Sequence, residues 1–176
     1  MKIIETLSEN LSMSFSGRLN ILSKDTKQFL ASVLQREGVI VNAFYGKLAG
    51  KKALAAILVE SKINKNIIVI SEPELIEAKE IHFEMNEHEF FKFKNDYYEK
   101  FESLNKLKPD PALNLSLNGF NLDVYTPLST DEFNVMKVIC DFSKVSEIYK
   151  NCSMLDFDVT KSLISLRKKG IILVHR

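Results

Sequence analysis

The chain has no tryptophan, six glycines, four prolines and two cysteines in 176 residues. Two cysteines, Cys140 and Cys152, do not make the disulfide framework that holds small secreted domains together. Long apolar runs are missing. The longest, Ala53 to Val59, falls far short of the roughly 20 residues a helix needs to cross a bilayer. The opening Met1-Lys-Ile-Ile-Glu-Thr-Leu lacks the apolar core and small-residue cleavage site of a secretory signal. Neither sign of charge dominates. Lys and Arg number 24, Asp and Glu 23, and the formal net charge is +1. No global field therefore draws the chain to nucleic acid or lipid. These absences predict a cytoplasmic protein without membrane association.

Recognisable reaction chemistry is missing as well. No phosphate-binding loop is present, and Gly38, Gly46 and Gly50 have the wrong spacing for a dinucleotide fingerprint. No serine sits in a nucleophile elbow. His82 and His88 lie near Glu84, Glu87 and Glu89. His88-Glu89, however, lacks the second histidine four residues on that a zincin helix requires. Cys140 and Cys152 have no histidine or basic cluster beside them to favour the thiolate, so both read as small buried hydrophobes. The expectation is a protein that is not an enzyme, with no cofactor and no metal site.

What is present is an ordinary folded composition, 45% hydrophobic and 27% charged, at a length for one domain or two small ones. Charge is unevenly spread. Residues 1–71 carry +5, residues 72–102 carry −6, and residues 127–176 carry +2. The acidic stretch reads as a solvated face or as a surface for a basic partner.

Residues 1–12 place Ile3, Ile4, Leu7 and Leu11 at helical spacing. Phe15, Gly17, Leu19 and Ile21 alternate. After a polar Ser23–Lys27 turn come Phe29–Leu34, a Glu37-Gly38 turn and Val39–Tyr45, which predicts an antiparallel meander. Gly46 to Ser61 reads as a helix with Leu54, Ile57 and Leu58 as its stripe. Ile67–Ile70 reads as a buried strand.

Asn86 to Leu107 is the longest predicted helix. Asn86 and Glu89 form a capping-box pattern, with Met85 and Phe90 placed as its staple. Phe90, Phe93, Tyr97, Phe101 and Leu104 share one face. Phe91 and Tyr98 widen that face beyond what one core needs. The helix then either wedges between two domains or offers an aromatic patch to a protein partner or a second copy. Phe91 and Tyr98 are the candidate protein interface, and a homodimer is one form it could take.

Pro109-Asp-Pro111 marks a boundary. Leu113–Leu117, Asn118-Gly119 and Phe120–Val124 predict a hairpin on a type I′ turn. Ser129 and Glu132 form a second capping box, with Leu128 and Phe133 as its staple. This predicts a first helix carrying Phe133, Met136, Val138 and Ile139. A second helix, Lys144–Asn151, carries Val145, Ile148 and Tyr149. A third starts at Asp156 as N-cap and carries Val159, Leu163 and Leu166. Gly170 stops it and Ile171–Val174 closes as a strand. Three helices and then a strand is winged-helix order. The predicted class is α+β: an N-terminal antiparallel β-meander with packed helices, a linking helix and a C-terminal three-helix winged-helix-like domain. The expected boundaries are 1–85, 86–108 and 109–176.

Gly17-Arg-Leu, Gly38-Val-Ile-Val-Asn-Ala-Phe-Tyr-Gly46 and Gly50-Lys-Lys-Ala-Leu54 resemble a bacterial family, domain-of-unknown-function family 4388. That family is related to the PATAN domains of bacterial response regulators. Gly17, Leu19, Gly38, Ile40, Val41, Ala43, Gly46, Gly50, Ala53 and Leu54 fall on its pattern, over about residues 1–85. Leu128-Ser-Thr-Asp-Glu132 and Leu166-Arg-Lys-Lys-Gly-Ile-Ile172 are similar to the winged-helix-like modules that often follow such domains. The resemblance implies bacterial signalling through protein contacts, often beside receiver domains. No receiver pattern is readable in this chain.

Two functions follow as expectations. One is a signalling adaptor with a protein partner. The alternative is a transcription regulator whose third helix meets DNA through Lys161, Arg167 and Lys168. Asp156 and Asp158 at the start of that helix would repel phosphates. A sequence ending at Arg176 also leaves no room for a second wing strand after Val174.

Overall fold

Ile3, Leu7 and Leu11 recur on one side of helix α1 (Lys2–Ser12) and are all buried. The computed structural model describes residues 2–121 and 127–175. It is an α+β structure with two units, Met1–Glu99 and Lys100–Arg176. No described helix is long and apolar enough to cross a membrane.

In the first unit the meander forms as the alternation predicts. Strands β1 (Gly17–Ser23), β2 (Phe29–Arg36), β3 (Val39–Tyr45), β4 (Leu48–Ala49) and, after helix α2 (Gly50–Ile63), β5 (Ile67–Pro73) make one antiparallel sheet. Their order is β4-β3-β2-β1-β5. Glu37 and Gly38 both have positive φ, 52° and 75°, as a two-residue type I′ hairpin turn requires. A Cβ on Gly38 would lie 2.7 Å from the Leu11 carbonyl oxygen, so α1 packs directly on this turn.

Two local expectations change. Gly46 and Lys47 form the turn into β4, so α2 starts four residues later than its apolar pattern suggests. β5 is an edge strand with only Ile67 buried, because β1 alone pairs with it. β-Branched residues suit an edge as well as a centre, which is why composition misplaced it.

Both faces of the central strands are covered. Leu19, Ile21, Ala31, Val33, Ile40 and Ala43 meet α1 and α2 in the main core. Ile40 and Ala43 are three apart, and pure alternation would place them on opposite faces. The β2–β3 register slips between Leu34 and Gln35, which pair with Asn42 and Ile40 and leave Val41 as the extra residue. That bulge restores both side chains to the helix side. Val41 turns to the other face with Leu34, where Ile76 from the connection after β5 seals them. Inside the main layer, Asn10 donates to the Gln35 side-chain oxygen at 2.9 Å and to Ser71 Oγ at 3.0 Å.

Helix α3 (Glu87–Asn105) begins as predicted. Asn86 and Glu89 each bond the other's backbone N–H at 3.0 Å. Met85 and Phe90 are buried in the main core. The divide between the two units falls within this helix.

The second unit contains strand β6 (Asn114–Leu117), helices α4 (Thr130–Asp141), α5 (Val145–Asn151) and α6 (Asp156–Lys168), and strand β7 (Ile172–His175). The predicted hairpin is replaced. β6 pairs antiparallel with β7, Leu115 opposite Val174, while Gly119–Asn121 is a 3-10 turn. Asn118 spends its side chain donating to the Gly170 carbonyl at 3.1 Å, not on a type I′ turn. Residues 122–124 of the expected second strand lie outside the described residues. On its other side β6 is held by the segment between α4 and α5: Leu115 N–H donates to the Ser143 carbonyl, and Val145 N–H to that of Leu113. β6 comes from before the first helix of this unit, yet it is bonded on both sides, by β7 and by a bridge between Asn114 and Lys144.

Three further expectations need correction. On α4 the core positions are Val135, Met136 and Ile139, while Phe133 is half exposed. Asp156 is the first residue of α6, not its cap, and Leu155 precedes it without a side-chain cap. Cys140 is exposed rather than buried.

Candidate functional site

The end of α6 is where a basic surface was expected, and its three lysine and arginine neighbours have different fates. Lys169 is held by Glu132. Its ammonium donates to both Glu132 carboxylate oxygens, at 2.7 and 2.9 Å, and to the Pro127 carbonyl at 2.8 Å. Glu132 is nearly buried and also accepts from Ser129 N–H at 2.7 Å. Burial alone would raise its pKa. The bonds from Lys169, Ser165 and the Ser129 backbone outweigh burial and hold it at about 2. The capping-box glutamate of α4 thus also ties α4 to the end of α6.

Lys161, Arg167 and Lys168 remain exposed. Lys161, Ile164 and Lys168 lie at i, i+3 and i+7 and so share one stripe. Arg167 and Lys168 border an open hollow of about 600 Å³ with Leu107 and Ile164. Thr160 and Ser162 are buried, and Thr160 pairs with the Tyr149 hydroxyl at 2.7 Å. Neither can reach a base edge. Asp156 is held by Lys108 at 2.6 Å.

The aromatic helix gives the other candidate surface. Only Phe90 of its six aromatic residues is fully buried. Phe91 is half-buried beside Phe90, with the Lys94 ammonium 4.8 Å above its ring. Phe93 and Tyr97 lie with ring centroids 4.5 Å apart. Tyr98 packs on the main core, and its hydroxyl lies 3.2 Å from buried Ser61 Oγ. The two residues singled out in the sequence therefore differ. Each has a lysine ammonium over its ring, but only Tyr98 also braces α3 against α2.

Tyr98 also walls a cleft that no local pattern announces. Ile4 and Glu5 of α1, Ser61 and Lys62 of α2, Lys65, and Lys94 and Tyr98 of α3 line a mostly apolar cavity of about 350 Å³. The Lys62 ammonium lies 4.7 Å from the Tyr98 ring centroid. These residues are far apart in the sequence, and helix packing alone assembles them.

His82 and His88 are both exposed. Among the described residues no group of three or more His, Cys, Asp or Glu gathers as a metal site would. Cys152 is half-buried, and burial pushes its thiol pKa up. No family model, curated protein or solved structure matches the chain.

Proposed function

We propose that the chain is a non-enzymatic, cytoplasmic adaptor of bacterial signalling that works through protein contacts, with α3 as its docking element. One observation carries the reading. Five of the six aromatic rings on α3 stay only partly covered, although the helix already anchors itself through Phe90. Aromatic side chains bring large apolar area at low conformational cost, and they dominate protein interfaces. The glycine and alanine pattern of residues 17–54, which resembles the PATAN-related family, supports a bacterial signalling context.

The test places a photo-crosslinking phenylalanine analogue at Phe91 in the full chain inside a bacterial host. The expected result is one discrete adduct, lost when Phe93 and Tyr97 are changed to serine. An adduct of twice the chain's mass identifies a second copy as the partner. Diffuse labelling that survives those changes overturns the docking role.

A second reading rests on a different observation, the exposed Lys161–Lys168 stripe with Arg167 beside it. In this reading the C-terminal unit is a winged-helix-like DNA-binding module. Gel shifts at about 50 mM salt, where phosphate contacts are strong, decide it. Lys161→Ala and Arg167→Ala weaken binding if the reading holds. Failure to shift any selected DNA sinks it.

A further inference from the structure

We infer that the cleft between α1, α2 and α3 is a binding site for a small organic anion with an apolar body, such as a medium-chain or aromatic carboxylate. The inference goes beyond the docking reading and stands without it.

Size, wall and rim agree. The cavity of about 350 Å³ lies within the range of small-ligand sites. Ile4 and Tyr98 supply much of its apolar lining. Long lysine side chains add apolar stems, with the Lys62 ammonium beside the Tyr98 ring and the Lys94 ammonium beside the Phe91 ring. Lys62, Lys65 and Lys94 give the lining three positive charges against one negative charge at Glu5. That balance favours an anion and disfavours a cation.

The uncharged polar groups of the lining are engaged with each other. Ser61 donates to the Leu58 carbonyl at 2.7 Å, and its oxygen lies against the Tyr98 hydroxyl. The lining therefore offers few free uncharged hydrogen-bonding groups, and a ligand with a polar body would lose bonds to water on entry. The apolar part of the ligand enters, and its carboxylate stays among the ammonium groups. The wall comes from three helices of one unit, so binding also clamps them together.

The test uses the full chain, labelled with ¹⁵N, and follows backbone amides by NMR during titration with octanoate, octylammonium and 1-octanol. Octanoate is expected to shift Ile4, Ser61, Lys65, Lys94 and Tyr98 saturably at concentrations up to about 5 mM, the range of weak small-ligand binding. Octylammonium and octanol are expected to bind at least roughly tenfold more weakly, because only the anion meets the rim charges. The double change Lys65→Glu with Lys94→Glu, at one exposed and one half-buried position, should weaken octanoate by roughly tenfold or more while leaving the spectrum folded. Equal binding of octylammonium, or shifts centred elsewhere, overturns the proposal. So does an octanoate affinity that the double change leaves intact. A blocked acidic-apolar tetrapeptide that occupies the same amides more tightly than octanoate also overturns it, in favour of a peptide site.

Discussion

Replacing Glu132 by glutamine isolates the contact between α4 and α6. The carboxylate is nearly buried, accepts both bonds from Lys169, and has a pKa lowered from 4.5 to about 2. That lowering corresponds to about 3 kcal/mol favouring the ionised form in the folded state. The folded pKa lies below the unfolded one. This stability is therefore present above about pH 4.5 and is lost as pH falls towards 2. Glutamine still fits the third position of a capping box and can accept from Ser129. The variant should lose about 2–3 kcal/mol at pH 7, and by pH 3 the gap to the unaltered protein should shrink by about 2 kcal/mol.

Urea unfolding read by amide hydrogen exchange in α4 and α6 measures the effect where it acts. Lys169→Met should cost more, about 3–5 kcal/mol, because it leaves a buried carboxylate without its cation. The double variant should recover part of that loss. The reasoning is refuted if Glu132→Gln changes stability by under about 0.5 kcal/mol, the size of an ordinary surface substitution. A pH-independent gap between variant and parent refutes it equally.

Three further outcomes follow. Gly17→Ala puts a Cβ 2.2 Å from the Glu72 carbonyl oxygen, so the β1–β5 pairing must open; thermal unfolding should show a loss of about 2–3 kcal/mol, and an unchanged melting temperature contradicts the packing described. Asn10→Ala leaves the buried Gln35 side-chain oxygen without its donor and should cost about 1–3 kcal/mol in urea unfolding, while adding Gln35→Leu should recover part of it. Thiol titration with a disulfide reagent at mildly alkaline pH should be biphasic, with exposed Cys140 reacting first. Cys152 should lag because burial shields it and raises its pKa, and Cys140→Ser should abolish the fast phase.

Much of the local structure was legible residue by residue. The capping boxes at Asn86 and Ser129 are signals spanning four residues, and both form as their spacing implies. Glu37-Gly38 declares a tight turn by its residue types alone. Where reading failed, the missing information was non-local. Asn118-Gly119 looks like a hairpin turn, but β7, more than fifty residues later, captures β6. Phe133 falls on the expected apolar stripe yet is half exposed with Lys137 over its ring, because α4 turns Val135, Met136 and Ile139 to the core instead. Phe91 and Tyr98 look equivalent on a helical wheel. Only Tyr98 meets a hydroxyl from α2.

The sequence by itself determined the α+β class, the antiparallel meander and the helices, since period, caps and turn residues act within a few positions. It also exposed the lack of any recognisable catalytic motif. Tertiary structure alone decided which charges are free and which surfaces are concave. Lys169 is paired with Glu132, and three dispersed segments meet around one cationic cleft. Burial and proximity depend on chain segments arriving from a distance, and no short window of residues records that arrival.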